Sequence, residues 1–341
     1  MSITRTRRPR RPRALPAILA ALLLTAAAAG CGGDPGNAAV RQDGSVDLAK
    51  VTLRIGDQKG GQQALLGAAG ELRDLPYKVT WNQFTSGPPL LEAVNAGALD
   101  LGAVGNTPPV FAAAAGSKIK IVSAADLGLT GQAILVPRDS AIRAPADLKG
   151  KRIGVAKGSS AHYHLLAVLK RAGLGFTDVQ PQYLAPPDAL AAFSQGRLDA
   201  WAIWDPYTAQ GQTQAGGRVL VDGNGYTTGY NLVVAAEKAL DDKARTAALR
   251  DYLARQRRAL LWAAGHPEAW GAVWSKDTGL PLAVAEQAAR RRAATLIKVD
   301  DALVRHEQEV ADAFHAERLI PGKVRMAEYV DRRFNDIEVK G

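Results

Sequence analysis

The chain has 341 residues, 47% of them hydrophobic, with a single cysteine and a formal net charge of +10. That length buries a large core and suffices for two domains of ordinary size. The charge is a poor guide to partners: six arginines and no acidic residue fall in residues 1–30, so the remainder carries only +4, which gives little support to nucleic-acid binding.

In chain order, the first element is a leader. Arg5, Arg7, Arg8, Arg10, Arg11 and Arg13 precede the apolar run Ala14 to Gly30. A basic start, a hydrophobic middle and small residues before a cleavage point mark residues 1–30 as a signal peptide. Ala28-Ala29-Gly30-Cys31 resembles a bacterial lipobox, in which the cysteine becomes the lipidated first residue of the mature protein, although Ala28 stands where Leu is commonest. With Cys31 lipidated, no thiol remains for nucleophilic catalysis or a disulfide. Arg7-Arg8 is a pair of the kind that twin-arginine export uses, but Pro9 and Pro12 break the usual pattern, so the export route stays open. Residues 31–50 read as the lipidated cysteine and a small, polar tether. No later run is apolar for long enough to span a bilayer, so a soluble body anchored at the membrane is expected.

Folding is expected to start near Val51. Val51–Gly56 reads as a strand, Gln62–Leu72 as a helix, Tyr77–Phe84 as a strand, Pro89–Ala96 as a helix and Leu99–Val104 as a strand. This alternation predicts a parallel sheet with covering helices, an α/β fold. Ile119–Ala125 and Gln132–Val136 also read as strands, and Pro137–Pro145 as a link. The pattern then recurs: Ile55-Gly56 is echoed by Ile153-Gly154, and Gly97-Ala98-Leu99-Asp100 by Gly196-Arg197-Leu198-Asp199, at offsets of 98 and 99 residues. Two similar lobes are therefore expected, 51–137 as the first part of lobe 1 and 138–235 as lobe 2, closed by a strand at Leu232–Ala236. Residues 236–341 return to lobe 1 as helices. There Leu249, Tyr252, Leu253, Gln256 and Leu260 share one face, Gly265-His266-Pro267 stops that helix, and further helices cover Glu268–Ser275, Leu282–Ala294 and Asp301–Glu317. This part reads as packing rather than chemistry.

Chemistry concentrates in four loops. Lys157-Gly158-Ser159-Ser160-Ala161-His162 lies between a strand and a helix, so free N–H groups, two hydroxyls and the positive end of the helix dipole point at one spot that favours an anion. The plainer alternative is that a serine merely caps the helix. Thr85-Ser86-Gly87-Pro88-Pro89 and Gly105-Asn106-Thr107-Pro108-Pro109 are polar helix starts of the same kind; if all three face one cleft, their N–H groups converge on one small oxyanion. In Trp201-Ala202-Ile203-Trp204-Asp205-Pro206-Tyr207, strand alternation sends the two rings to opposite faces. Either both are core and Asp205 caps a helix, or one ring lines an apolar pocket beside Asp205. His162 and His164 diverge on a helix and the other histidines are scattered, so no metal site forms. Paired carboxylates at Asp241-Asp242 and Asp300-Asp301 cap helices. With no Gly-Lys-Ser/Thr phosphate loop and no Gly-x-Ser-x-Gly elbow, nothing assembles an enzyme and no cofactor is implied.

These loops, with Gly56-Asp57-Gln58-Lys59-Gly60, resemble the solute-binding proteins of ABC importers for aliphatic sulfonates, close to those for taurine and nitrate. The resemblance runs from about Leu53 to Pro321. It implies a periplasmic-binding-protein-like fold of type II: two α/β lobes joined by a hinge, trapping a ligand as they close. Carried over by position, Gln58, Gly87, Pro88, Asn106 and Thr107 line the first-lobe wall. Ser159, Ser160 and His162 would hold the anionic head, and Trp201, Trp204 and Asp205 shape the second-lobe wall. Neutral donors suffice for a sulfonate, without a charged counter-ion. Asp57 stands where an aromatic residue is common, Gly61-Gln62 replaces a bulkier continuation, and Asn106 stands where Asp is frequent. The implied partners are a small anion, an ABC permease and its ATPase, and a membrane reached through the lipid. The implied protein is an extracytoplasmic monomer without cofactor. Taurine, nitrate and other small organic anions are alternative ligands, the tryptophans favouring an apolar tail. A same-fold enzyme is the alternative class: a desulfinase would need a cysteine nucleophile, which Cys31 cannot supply from a tether, and a pyrimidine-precursor synthase would need a reactive His and Lys, for which only Lys59, Lys157 and His162 are available.

Overall fold

Three strand–helix units open the folded chain in the computed structural model. They are β1 (Thr52–Gln58) with α1 (Gln62–Ala68), β2 (Lys78–Phe84) with α2 (Gly87–Asn95), and β3 (Leu101–Gly105) with α3 (Pro108–Ala114). β1 pairs in parallel with both β2 and β3, as helical crossovers require. The structure describes residues 39–292 and 294–338; the expected signal peptide, residues 1–30, and the expected lipidation site at Cys31 lie outside the described residues.

The first sheet has six strands in the order β11-β4-β10-β3-β1-β2, where β4 is Ile119–Asp126, β10 Tyr230–Ala236 and β11 Thr295–Ile297. β10 is inserted antiparallel between β3 and β4. The second sheet has five strands in the order β7-β6-β8-β5-β9: β5 is Gln132–Pro137, β6 Arg152–Val155, β7 Gln180–Tyr183, β8 Ala200–Trp204 and β9 Gly217–Asp222. Its helices are α4 (Ser160–Arg171), α5 (Pro186–Ser194) and α6 (Tyr207–Gln214). Short α7 (Glu237–Asp241) leads into α8 (Lys243–Gly265), α9 (Pro267–Thr278), α10 (Leu282–Arg290) and α11 (Asp301–Ala316).

Two boundaries expected from the sequence shift by one strand each. β5 belongs to the second sheet and β10 to the first, so the chain crosses between lobes at residues 127–131 and 223–229 rather than after 137 and 235. A strand's own residues specify that it is a strand; its sheet is chosen by the neighbour that pairs with it. Part of the stretch expected to be a tether is folded. Val40 bridges Val46, Leu48–Lys50 forms a 3-10 turn, and Ala39 is 2% exposed against the first-lobe core. Folded structure therefore reaches back at least to Ala39, ahead of the start expected near Val51.

The repeat has a structural cause. Asp100 accepts from the Arg54 backbone N–H (2.8 Å), Nε (3.2 Å) and Nη2 (2.7 Å). Asp199 accepts from the same three groups of Arg152 at 2.8, 3.1 and 2.9 Å. A Cβ on Gly56 would lie 2.7 Å from Leu99 Cδ1, and one on Gly154 would lie 2.5 Å from Leu198 Cδ1. Each lobe thus uses the same clamp and the same glycine–leucine contact to fix one strand against the next.

The C-terminal helices do more than cover lobe 1. α8 and α9 pack on α1, α10 touches α6, and α11 lies against both α3 and α4. Val310 and Phe314 of α11 join Val110 of α3 and Leu165 of α4 in one apolar cluster, so the lobes share buried surface.

Candidate functional site

A cleft of about 160 Å³ opens between the two sheets, at the carboxyl ends of the parallel strands, where α/β folds place ligands. On the first-lobe side, Gln58 at the end of β1 lines it and is held by an Nε2 hydrogen bond to the Ala103 carbonyl (3.0 Å). Gly87 and Pro108, the first residues of α2 and α3, line it together. Gly87 must lack a side chain, since its Cβ would lie 2.6 Å from Pro108 Cγ. The three helix starts do meet at one cleft, yet Pro88, Pro89, Pro108 and Pro109 carry no N–H. The donors therefore come mainly from α4.

α4 begins with a good cap and ends with the charges its dipole favours. Ser159 Oγ accepts the His162 N–H (3.3 Å), and Lys170 and Arg171 occupy the last turn. Ser159 and Ser160 both line the cleft. Ser160 faces the first lobe closely: a Cβ on Gly105 would lie 1.9 Å from Ser160 Oγ. Gln132 Nε2 donates to the Ser160 carbonyl (3.2 Å), which ties the start of β5 to the α4 start.

On β8 the two tryptophans separate as alternation requires. Trp204 lines the cleft, whereas Trp201 is 0% exposed and packs with Phe193 and Tyr207. Asp205 follows, 4% exposed, accepting from the Ala209 N–H (3.0 Å) and from Arg291 Nη1 (3.2 Å). It caps α6 and lines the cleft, so the two readings of this residue coexist. Burial pushes its carboxyl above the ordinary range, against the pull of Arg291. Arg291 Nη2 donates to Gln212 Oε1 (2.7 Å), joining the C-terminal segment to the second lobe.

Residues 79–270 match the family described as NMT1/THI5 like. The chain belongs to the NMT1/THI5-like family. It is 40% identical over 276 residues, 80% of this chain and 86% of the relative, to an aliphatic sulfonates-binding protein of Escherichia coli (strain K12). It is 32% identical over 262 residues, 75% of this chain and 77% of the relative, to a protein of that description from Bacillus subtilis (strain 168). Among solved structures it is similar to the alkanesulfonate-binding protein SsuA from Xanthomonas axonopodis pv. citri bound to MOPS. That likeness has a TM-score of 0.76 and 36% identity, covering 84% of this chain and 100% of the other. The fold is that of periplasmic binding proteins.

Within this NMT1/THI5-like fold, five of the expected site residues are not among those that line the cleft: Pro88, which is half-buried, and the buried Asn106, Thr107, His162 and Trp201. Asn106 is fully buried; its Nδ2 donates to Thr227 Oγ1 (3.1 Å) and its Oδ1 accepts from Thr107 Oγ1 (3.0 Å). That amide fastens the start of α3 to the second crossing. His162 accepts the Gly158 N–H at Nδ1 (3.1 Å) and packs among Phe176, Tyr183 and Phe314. Burial first, and Lys157 second, pull its pKa down to about 3. It is neutral and turned inward, so it holds the loop and not an anion. Asp57 is equally structural: it accepts the N–H groups of Gln62 (2.6 Å) and Gln63 (2.9 Å), capping α1.

The largest omission of the sequence reading is the C-terminal wall. Leu260 and Ala263 of α8, Trp270 of α9 and Arg291 and Arg292 after α10 all line the cleft. The helix expected over Leu282–Ala294 stops at Arg290, which frees the next two arginines from the helical face. The run Arg290-Arg291-Arg292 was visible, but no spacing links it to Asp205, 86 residues away. Among the described residues, no helix is long and apolar enough to cross a membrane and no group of His, Cys, Asp or Glu is placed to hold a metal ion.

Proposed function

We propose that this protein is the extracytoplasmic solute-binding component of an ABC importer, capturing aliphatic sulfonates for sulfur acquisition and passing them to the permease. The observation that carries the reading is the start of α4, where Ser159 and Ser160 line a cleft, Ser160 facing Gly105, that also holds Arg291 and Arg292. A sulfonate is anionic at every physiological pH. Free N–H groups at the α4 start, the Ser160 hydroxyl and the helix dipole match its oxygens. Trp204, Leu65, Leu260 and Trp270 offer apolar surface to a carbon tail. Gln58, Gly87 and Asp205 complete the walls, and the crossings at 127–131 and 223–229 act as the hinge that lets the lobes close.

The site binds rather than transforms. His162 is buried, neutral and absent from the cleft lining, so among the described residues the cleft does not present the reactive histidine that a pyrimidine-precursor synthase would need. Lipidation of Cys31 supplies the anchor that keeps the body beside its permease.

Isothermal titration with short and long alkanesulfonates, taurine, nitrate, sulfate and a matched carboxylate tests the reading. Alkanesulfonates should bind, and Ser160→Ala with Trp204→Ala should weaken them by about tenfold or more, the loss of a hydrogen bond to a charged group plus apolar contact. Binding of nitrate or the carboxylate in their place would move the substrate, and turnover of a sulfonate would make the protein an enzyme.

A further inference from the structure

Five charged side chains line the cleft among the described residues: Asp57, Lys59, Asp205, Arg291 and Arg292. Three of them are occupied. Asp57 commits its oxygens to the Gln62 and Gln63 N–H groups and Asp205 to Ala209 and Arg291, while Arg291 bonds Asp205 and Gln212. The Lys59 and Arg292 side chains have no hydrogen bond or ion pair within 4 Å among the described residues, although Asp205 is near enough to Arg292 to attract it electrostatically. Lys59 is exposed; Arg292 is half-buried, with its guanidinium carbon 5.0 Å from the Trp274 ring centroid. That indole cannot retreat: it is 1% exposed and lies so close to the backbone of Gly60 that a Cβ there would fall 1.5 Å from Trp274 Nε1. An arginine stacked on a fixed indole keeps its N–H edge free for a ligand.

Position gives this cation its role. The anion-favouring α4 start belongs to the second lobe, whereas Arg292 belongs to the C-terminal segment and stacks on Trp274, which shares one apolar cluster with Leu65, Leu260 and Trp270. A ligand whose head sits at Ser160 and whose tail follows that cluster would bring the tail's end toward Arg292. We infer that Arg292, backed by Trp274, reads the far end of the ligand: it favours a tail ending in an anionic or hydrogen-bond-accepting group and opposes one ending in an ammonium. This rests on the sulfonate reading and adds to it a ranking by tail charge.

Three ligands of equal length test it by titration against the purified protein: butanesulfonate, its ω-carboxylate analogue and its ω-amino analogue. The carboxylate analogue should bind most tightly and the amine least, with about tenfold or more between them, equal to ~1.4 kcal/mol. Arg292→Gln should collapse the series to within about threefold, and Arg292→Lys, which keeps the charge, should restore the order. Thermal melts of both variants check that the fold is intact. A flat or inverted series in the unaltered protein, or an order untouched by Arg292→Gln, overturns the inference while leaving sulfonate binding in place. Failure of all three to bind overturns the sulfonate reading and this inference together.

Discussion

His162 and His164 show how a residue that looks chemical can be structural. Both are fully buried on α4, and burial lowers their pKa values to about 3 and about 4. In the unfolded chain each takes a proton near the ordinary histidine value of about 6.5. The native state therefore binds fewer protons than the unfolded state between those limits. The stability that depends on neutral histidines is complete above pH 6.5 and is lost as pH falls toward 4. Each contributes a slope of up to about 1.4 kcal/mol per pH unit in that window. His162→Gln, which can still accept the Gly158 N–H, should reduce the fall in stability between pH 6.5 and 4.5; urea unfolding at the two pH values measures it. An unchanged slope would mean that His162 is protonated in the native protein. Sequence alone saw two polar rings beside an anion-favouring loop, because the aromatic cage of Phe176, Tyr183 and Phe314 is drawn from distant elements.

At the scale of elements, the twin clamps predict unequal costs from equal chemistry. The Asp100 side chain is 2% exposed and also lies 3.7 Å from Arg245, whereas that of Asp199 is 31% exposed. Removing Asp100 takes a buried acceptor from the Arg54 backbone N–H and guanidinium and leaves Arg245 with Asp242 alone, at a cost of about 3 kcal/mol. Removing Asp199 leaves a solvated Arg152, at a cost of about 1 kcal/mol. Thermal melts of Asp100→Ala and Asp199→Ala should therefore differ by several degrees, the first being lower; equal shifts would show that burial does not set the cost. The clamps were legible as an echo of Gly-x-Leu-Asp, since a duplicated device leaves duplicated residues. The strands β7, β9 and β11 were not legible. All three are sheet edges with few or no buried positions, and a half-solvated edge needs no marked alternation in its residues.

For the whole molecule, the two crossings are bonded to each other. The Leu127 N–H donates to Gly229 O (2.9 Å) and the Gly223 N–H to Leu129 O (3.3 Å). Such a paired ribbon bends as a unit, so a bound sulfonate should draw the lobes together. Small-angle scattering should give a smaller radius of gyration with butanesulfonate than without it. At a ligand concentration 100 times Kd, stability should rise by about 2.7 kcal/mol. A rise in melting temperature without any compaction would mean a rigid, preformed cleft and no hinge.

Local sequence carried the alternation of strands and helices, the duplicated lobes, the capped start of α4 and the opposite faces of Trp201 and Trp204. Each of these depends on residues a few positions apart, which period, cap and turn chemistry govern directly. Tertiary structure alone decided which sheet β5 and β10 join, that His162 and Asn106 turn inward, and that Arg291 and Arg292 reach a cleft first assigned to other loops. Those outcomes depend on contacts between segments a hundred or so residues apart. There, the free energy of burying a ring or pairing a charge is set by whichever distant surface arrives, and no local pattern encodes it.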